Sequence, residues 1–292
     1  MRSLYFDFSL NNKILRLSYL ENFISTNQET ILFFHANGYS AQTYTKLLKE
    51  FIKNNYNVFA LNFIGHNGSE NYYDIKNWLI FSDQILMFIE YLKTKYNINK
   101  FHLVGHSLGG ASSLLAGYFN NTNIFSISCW DPVVLTPFLS FFLNFIDTPL
   151  AKQAEKRREE FKNLEIIRRS YRMSDSFKNW DIEIFEDYLN SCFYFDESKN
   201  LYRLCLPKEI EAKIFRSLTF GNWKYYKKLR QTICVLAPKN SKVCPKRACK
   251  LLTKNNPNSR YEILSTKSHF FPMEIPLLTS QKTIEFIQKL VL

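Results

Sequence analysis

The sequence predicts an α/β protein whose mainly parallel sheet is covered by helices on both faces. Six short apolar runs typical of buried strands alternate with stretches in which apolar residues recur every three or four positions, as in amphipathic helices. Of the 292 residues, 46% are hydrophobic, 16% are aromatic and 22% are charged. This composition excludes wholesale disorder and supplies a large core.

The predicted strands follow one another along most of the chain. An aromatic segment at 5–8 and the segment Ile14–Tyr19 predict an antiparallel hairpin at the sheet edge. Helices are predicted at Ser82–Lys95 and Gln281–Leu290, where the apolar spacing is helical. The buried strands are predicted at 30–34, 57–61, 100–104, 124–130, 231–236 and 261–264.

One segment, 133–222, interrupts this alternation because it carries no strand pattern. Its charged stretch 151–172 and the stretch 180–189 both predict helices. We expect a mobile helical cap, or lid, inserted after strand 6. The α/β core would then comprise 1–132 and 223–292.

The strongest chemical motif is Gly105-His106-Ser107-Leu108-Gly109, which follows a predicted strand and precedes a helix of small residues. A serine at such a turn needs a glycine two residues to either side, because strand and helix approach closely there. Its hydroxyl would be exposed, and the N–H of Leu108 would point at a developing oxyanion. The alternative is an ordinary glycine-rich helix start with an N-cap serine.

With this motif the sequence resembles the α/β-hydrolase superfamily over nearly the whole chain, which implies the α/β-hydrolase fold with Ser107 as the nucleophile. The segment 35–38, His-Ala-Asn-Gly, resembles the superfamily's oxyanion loop and implies that Asn37 supplies a second N–H. The segment 62–69 resembles its D-x-R-G-x-G-x-S turn, with departures that include Asn62 for Asp and Asn67 for Gly.

The same resemblance implies that His269, in the segment that follows the last strand, is the catalytic base. The order of serine, acid and histidine along the chain matches that of the fold. The other four histidines are expected to hold loops or to be structural, and a core histidine is the alternative for His269 as well.

The acid of the expected triad has two positions in the superfamily. The usual one, after strand 7, falls near Asn240, and no acidic residue occurs in 224–254. The other follows strand 6 and holds Asp131, which we predict as the acid, with Asp147 and Glu274 as weaker substitutes. Otherwise Asp131 would be a helix N-cap before proline.

These residues imply a serine hydrolase of the carboxylesterase, lipase or thioesterase type, acting on an ester or thioester through an acyl-enzyme. An acyltransferase, a carbon–carbon bond hydrolase and a catalytically inactive binding protein are the alternatives. Apolar and aromatic residues at 133–146 and 193–195 favour an apolar small-molecule ester or acyl substrate. With no metal-ligand cluster and no nucleotide loop in the sequence, we expect no cofactor and no metal.

The net charge is +12, and the stretch 224–254 holds ten lysines and arginines. Such a stretch suits a solvated face or weak contact with an anionic membrane surface. Nucleic-acid binding is disfavoured because no reading element accompanies the charge. The six cysteines form no Cys-x-x-C, and neither a signal peptide nor a long apolar run occurs. We therefore expect a soluble, cytoplasmic protein.

Overall fold

A computed structural model of the protein describes residues 1–120, 122–134, 149–218 and 221–291. In these ranges the strands are β1 (Arg2–Leu10), β2 (Lys13–Asn22), β3 (Thr30–Phe34), β4 (Asn57–Leu61), β5 (Phe101–His106), β6 (Ile124–Trp130), β7 (Glu160–Phe161), β8 (Phe193–Asp196), β9 (Leu201–Leu204), β10 (Thr232–Pro238) and β11 (Arg260–Leu264). The helices are α1 (Thr45–Lys53), α2 (Leu79–Tyr96), α3 (Leu108–Phe119), α4 (Pro149–Glu155), α5 (Leu164–Arg172), α6 (Ile182–Cys192), α7 (Lys208–Arg216), α8 (Trp223–Tyr226), α9 (Lys246–Thr253), α10 (Phe271–Glu274) and α11 (Pro276–Val291), and a 3₁₀ turn covers Ala41–Tyr44.

A central sheet of eight strands runs through the molecule in the order β1-β2-β4-β3-β5-β6-β10-β11. The β1–β2 and β2–β4 pairs are antiparallel, and the other pairs are parallel. The predicted fold class is thus confirmed, and the predicted hairpin forms the sheet edge. Each of the six predicted buried strands begins and ends within two residues of an observed strand.

Two apolar cores lie on opposite faces of this sheet. One packs α2, α3, α8 and α9 against the strands, and the other packs α1, α11 and part of the 149–218 segment. The neighbouring residues Phe33 and Phe34 enter opposite cores because successive strand side chains alternate between the two faces. Burial on both faces explains why these strands are continuous apolar runs in the sequence.

The segment between β6 and α8 differs from the expectation of helices alone. Besides α4 to α7 it contains a three-stranded antiparallel sheet in the order β7-β9-β8, so the purely helical prediction was wrong there. β7 interrupts the helix predicted over 151–172, and its partner across the pair Glu160–Arg203 is distant in sequence. Strands this short depend on such long-range pairing, which no local periodicity records. Most of the apolar stretch 133–146 lies outside the described residues.

The loops after β3, β5, β6 and β10 all lie at the carboxyl ends of the strands, on the same side of the sheet, because these strands are parallel. His106, the last residue of β5, is paired with Trp130, the last residue of β6. In the part of the chain that the structure describes, no helix has the length and apolar character needed to cross a lipid bilayer.

Candidate active site

Ser107 occupies a sharp turn between β5 and α3. Its backbone lies at φ 55° and ψ −111°, a conformation with positive φ that side-chain-bearing residues rarely adopt. The N–H of Ser107 donates to the carbonyl of Trp130 at 3.0 Å, which ties the turn to the end of β6. In the described ranges no protein atom forms a hydrogen bond with the Ser107 hydroxyl, so this hydroxyl is available to a substrate.

The two glycines around this turn are required by close backbone contacts. A Cβ atom on Gly105 would lie 2.4 Å from the carbonyl carbon of Gly109, and one on Gly109 would lie 2.1 Å from the carbonyl oxygen of Phe34. Any side chain at either position would push α3 away from the sheet. The spacing of the motif is therefore a steric requirement of this strand–turn–helix junction.

Asp131 and His269 are joined by a short hydrogen bond. Nδ1 of His269 lies 2.7 Å from Oδ2 of Asp131, whose side chain is 1% exposed. Asp131 follows β6 with a positive φ of 42°, and its N–H donates to the carbonyl of Leu236 at 2.8 Å. His269 is also tied to the serine turn, because Nε2 of His106 lies 3.0 Å from the carbonyl oxygen of His269. The structure thus gathers Ser107, Asp131 and His269 at one edge of the sheet.

Ser241 is a residue of this site that the sequence reasoning missed. Its hydroxyl donates to Oδ1 of Asp131 at 2.6 Å and accepts the N–H groups of Val243 at 3.2 Å and Cys244 at 2.9 Å. The two N–H donors leave the hydroxyl proton directed at the carboxylate. Its position in the turn after β10, where the superfamily usually has its acid, is the one signal in the sequence that could have drawn attention to it.

The other positions considered for the acid take different roles or cannot be described. Asn240 is exposed in the turn after β10, with a positive φ of 66°. Glu274 forms a hydrogen bond with the Thr266 hydroxyl at 3.5 Å. Asp147 lies outside the described residues.

The loop after β3 passes beside this site and carries Asn37. The side chain of Asn37 is 8% exposed, and its Nδ2 donates to the backbone carbonyl of Glu211 at 3.3 Å. Gly38 has a positive φ of 85°, and its N–H donates to Nε2 of His66 at 3.2 Å. Leu108 is the first residue of α3, where the N–H groups of the first turn have no partner within the helix. The two predicted oxyanion donors therefore belong to a fixed loop and a helix start.

Buried histidines hold these loops in place. Nε2 of His35 accepts the N–H of Phe63 at 3.0 Å, and Nδ1 of His106 lies 2.7 Å from the Tyr44 hydroxyl. Burial lowers the pKa of His35 and His106 well below the usual range, and it lowers the pKa of His66 to about 4. These rings are neutral near pH 7, so each can accept one hydrogen bond and donate another.

A largely buried ion pair packs against the loop that carries Asn37. Nη1 of Arg157 lies 2.9 Å from Oε2 of Glu211. The guanidinium also donates to the hydroxyls of Tyr171 at 3.2 Å and Tyr188 at 2.6 Å. A Cβ atom on Gly38 would lie 2.8 Å from Oε1 of Glu211, so the pair is in direct contact with the loop. The segment inserted after β6 therefore packs against the loop that carries Asn37.

A cluster of aromatic rings lies beside His269. Phe270, next to His269, packs against Tyr39 and Trp180 with ring centroids 5.9 Å from each. Tyr39 and Trp180 contact each other at 5.6 Å. These three rings come from three separate parts of the chain and pack together, and Phe270 also contacts the ring of His269. Among the described residues, no group of three or more His, Cys, Asp or Glu side chains is arranged to hold a metal ion.

Comparison with known proteins places this fold among hydrolases. The family model described as serine aminopeptidase, S33, matches residues 25–167. A solved E-2-(acetamidomethylene)succinate hydrolase matches with a TM-score of 0.80 and 16% identity over 98% of this chain and 100% of its own. The peroxisomal alpha-beta-hydrolase of Saccharomyces cerevisiae matches with a TM-score of 0.80 and 17% identity, over 99% of this chain and 88% of that one.

The enol-lactonase of Burkholderia xenovorans is also similar, with a TM-score of 0.71 and 13% identity over 97% of this chain and 99% of its own. No curated protein matches the sequence. The strand order, the turn at Ser107 and these matches define an α/β-hydrolase fold. Together with the family model, these structures support the α/β-hydrolase superfamily.

Proposed function

We propose that the protein is a serine hydrolase that cleaves a carboxylic ester or thioester through an acyl-enzyme. The observation that carries this proposal is the 2.7 Å contact between His269 and buried Asp131, beside a serine held at positive φ with an unbonded hydroxyl. A serine held at positive φ, at the same end of the sheet as an oriented histidine, is typical of a functional site. The hydrolases among the similar structures and the family model support the same class.

In the proposed reaction, Oγ of Ser107 attacks the carbonyl carbon while Nε2 of His269 takes the hydroxyl proton. The Nδ1–H of His269 donates to Asp131, which fixes the ring tautomer and stabilises the imidazolium cation as it forms. Nε2 then returns the proton to the leaving alcohol or thiol as the tetrahedral intermediate collapses to the acyl-enzyme. In the second half, water attacks this acyl group, and His269 again takes and returns the proton.

The charge that develops on the substrate oxygen needs donors already in place. We assign this role to the backbone N–H groups of Asn37 and Leu108, which lie in the loop after β3 and at the start of α3. The loop is held by the Gly38–His66 hydrogen bond and by contact with Glu211. Fixed donors avoid the cost of reorganisation during the reaction.

The proposed substrate is a small ester or acyl compound with an apolar acyl part. The rings of Tyr39, Trp180 and Phe270 form an apolar cluster that contacts His269, and Arg157 is neutralised by Glu211. We propose that the inserted segment, 133–222, is the cap that selects this substrate. Backbone amides of α5 and α6 that exchange hydrogen faster than those of β5 and β6 would support a mobile cap, and equal rates would contradict mobility.

A fluorophosphonate probe tests the proposal directly, because it reacts only with an activated serine. We expect labelling of the native chain at Ser107, identified by peptide mass spectrometry, followed by turnover of p-nitrophenyl esters and acyl thioesters. Absence of labelling in folded protein would favour the binding-protein alternative. Labelling without hydrolysis, and with acyl transfer to an added alcohol or amine, would favour the acyltransferase.

A further inference from the structure

The stretch 224–254 forms a basic face with no internal neutralisation. All ten of its lysine and arginine side chains are exposed, and the stretch holds no acidic residue. Within the described residues, none of the ten forms an ion pair with a carboxylate. On the inserted segment, by contrast, Arg169, Lys178 and Lys199 each pair with a neighbouring acid. We call these ten side chains and their backbone the basic face.

The basic face lies on one side of the central sheet. The buried residues of α8 and α9, such as Tyr226 and Leu252, enter the same core, so the cationic side chains of both helices point outward on that side. The side-chain amide of Asn255 donates to the carbonyl of Lys227 at 2.9 Å and joins the end of α9 to the end of α8. The ten charges are therefore concentrated on a continuous part of the surface.

The nearest acidic strand residue does not neutralise this face. Glu262 in β11 forms an ion pair with Lys282 of α11, on the opposite side of the sheet. Its neighbours Tyr261 and Ile263 point to the side that carries α9. The alternation of β11 thus separates the acid from the basic face.

The basic face adjoins the candidate active site. Lys239 and Lys242 are exposed on either side of Ser241, which binds the carboxylate of Asp131. The N–H of Lys239 donates to the carbonyl of Thr266 at 2.7 Å, next to the segment that carries His269. A surface that bound this face would therefore lie close to Asp131 and to the segment that carries His269.

We propose that the basic face docks the protein on an anionic lipid surface. The choice of lipid rests on the proposed function, since an apolar ester or acyl substrate concentrates in a bilayer. Ten exposed cations without an acidic partner complement the negative charge of such a surface.

Vesicle co-sedimentation of the full chain tests this proposal without any need for catalysis. The Ser107→Ala variant is used so that no lipid is hydrolysed, with vesicles of phosphatidylcholine alone or mixed with phosphatidylglycerol. We expect binding to the anionic vesicles only, weakened by salt because screening lengths fall as ionic strength rises. Each cation at such a surface strengthens binding about fivefold, so Lys246→Gln/Arg247→Gln/Lys250→Gln should weaken it about 100-fold.

The matched control is Arg169→Gln/Lys178→Gln/Lys199→Gln, which removes the same charge from exposed, ion-paired positions. This control should bind as tightly as the parent. Equal binding to neutral and anionic vesicles, equal losses in both triple variants, or tighter binding to duplex DNA than to vesicles would overturn the proposal. Vesicle binding without fluorophosphonate labelling of the native chain would refute the proposed function and leave the docking surface standing.

Discussion

Two groups, each made of a serine, a histidine and a carboxylate, lie at opposite ends of strands β5 and β6. At the carboxyl ends of these strands, Asp131 and His269 lie 2.7 Å apart, and Ser107 follows β5 directly. Near the start of the same strands, the Ser126 hydroxyl lies 2.7 Å from Nδ1 of His102, and Nε2 of His102 lies 2.8 Å from Glu29. By hydrogen bonds alone, the second group is the more complete of the two.

The two groups differ in backbone strain and in access. Ser107 sits at positive φ on a turn and is 9% exposed, whereas Ser126 lies within β6 and is 0% exposed. The hydroxyl of Ser126 is already bonded to His102, a cross-strand neighbour in the β5–β6 ladder. A chain of hydrogen bonds is therefore not enough to define a catalytic site. An accessible nucleophile with a free hydroxyl is also needed.

Alanine at each serine should give the largest difference between the two groups. Ser107→Ala should abolish fluorophosphonate labelling and ester turnover while the chain stays folded. Ser126→Ala should keep the wild-type labelling rate and lose about 1–3 kcal/mol of unfolding free energy, because Nδ1 of His102 is left buried without its partner. Labelling rates and urea denaturation measure the two effects. Loss of labelling in folded Ser126→Ala would remove the distinction between the groups.

Replacement of each carboxylate by an amide should give the second-largest difference in kcat between the two groups. Asp131→Asn should lower kcat about 10⁴-fold with little change in stability, because an amide cannot stabilise the imidazolium of His269 in the same way. The matched change Glu29→Gln should leave kcat within about twofold, since Glu29 does not touch the site. Full activity in Asp131→Asn would show that the acid lies elsewhere or that a serine–histidine pair suffices.

Removal of the side chain that binds each carboxylate, Ser241 for Asp131 and Lys100 for Glu29, should give a smaller difference in kcat. Ser241→Ala removes one hydrogen bond to the Asp131 carboxylate, worth about 1.5–3 kcal/mol for a charged acceptor, and should lower kcat about 10- to 100-fold. Ser241→Thr, which keeps the hydroxyl, should restore kcat. Lys100, which lies 3.0 Å from Glu29, is the control. A loss in Lys100→Gln equal to that in Ser241→Ala would mean that the effect is not local.

The smallest expected effect is a pH-dependent stability difference. The hydrogen bond from His102 lowers the pKa of Glu29 from 4.5 to about 2. The ionised carboxylate thus stabilises the fold above pH 4.5, and this contribution is lost as the pH falls towards 2. Burial also lowers the pKa of His102, which makes acid unfavourable in the same direction.

Glu29→Gln should therefore be less stable than the wild type at pH 7 by on the order of 1 kcal/mol, after allowance for solvent screening of this partly exposed group. The gap should close as the pH falls from 4.5 to 2. Urea denaturation of both chains at pH 7 and pH 3.5 measures it. A gap that widens in acid would contradict a stabilising role for the ionised Glu29 carboxylate.

The fold and the core of the candidate site could be predicted because their determinants are local. The runs around Phe33 and Leu103 are buried on both faces, and the glycines around Ser107 are required at fixed spacing. Asp131 is predicted because the resemblance to the α/β-hydrolase superfamily offers two positions for the acid and no acidic residue lies near Asn240. The strand and glycine predictions needed only neighbouring residues, and the acid also needed the order of the motifs along the chain.

The remaining features depend on contacts between distant residues. The Arg157–Glu211 pair joins residues 54 apart, and Ser241 meets Asp131 across 110 positions. His102 contacts Ser126 because the register of β5 and β6 places the two residues opposite each other. The short strand β7 forms only by pairing with β9. No periodicity in the sequence encodes such contacts. The Ser241–Asp131 hydrogen bond and the Arg157–Glu211 pair could therefore be found only in the structure.

Two backbone hydrogen bonds fix the chain just after Asp131. The N–H of Val133 donates to the carbonyl of Ser107 at 3.3 Å, and that of Val134 donates to the carbonyl of Val243 at 2.9 Å. Tension arriving from the inserted segment would have to shear these two bonds before it could turn the carboxylate away from His269. The junction acts as a mechanical anchor, so the hydrogen bond between Asp131 and His269 is insulated from displacements in the inserted segment.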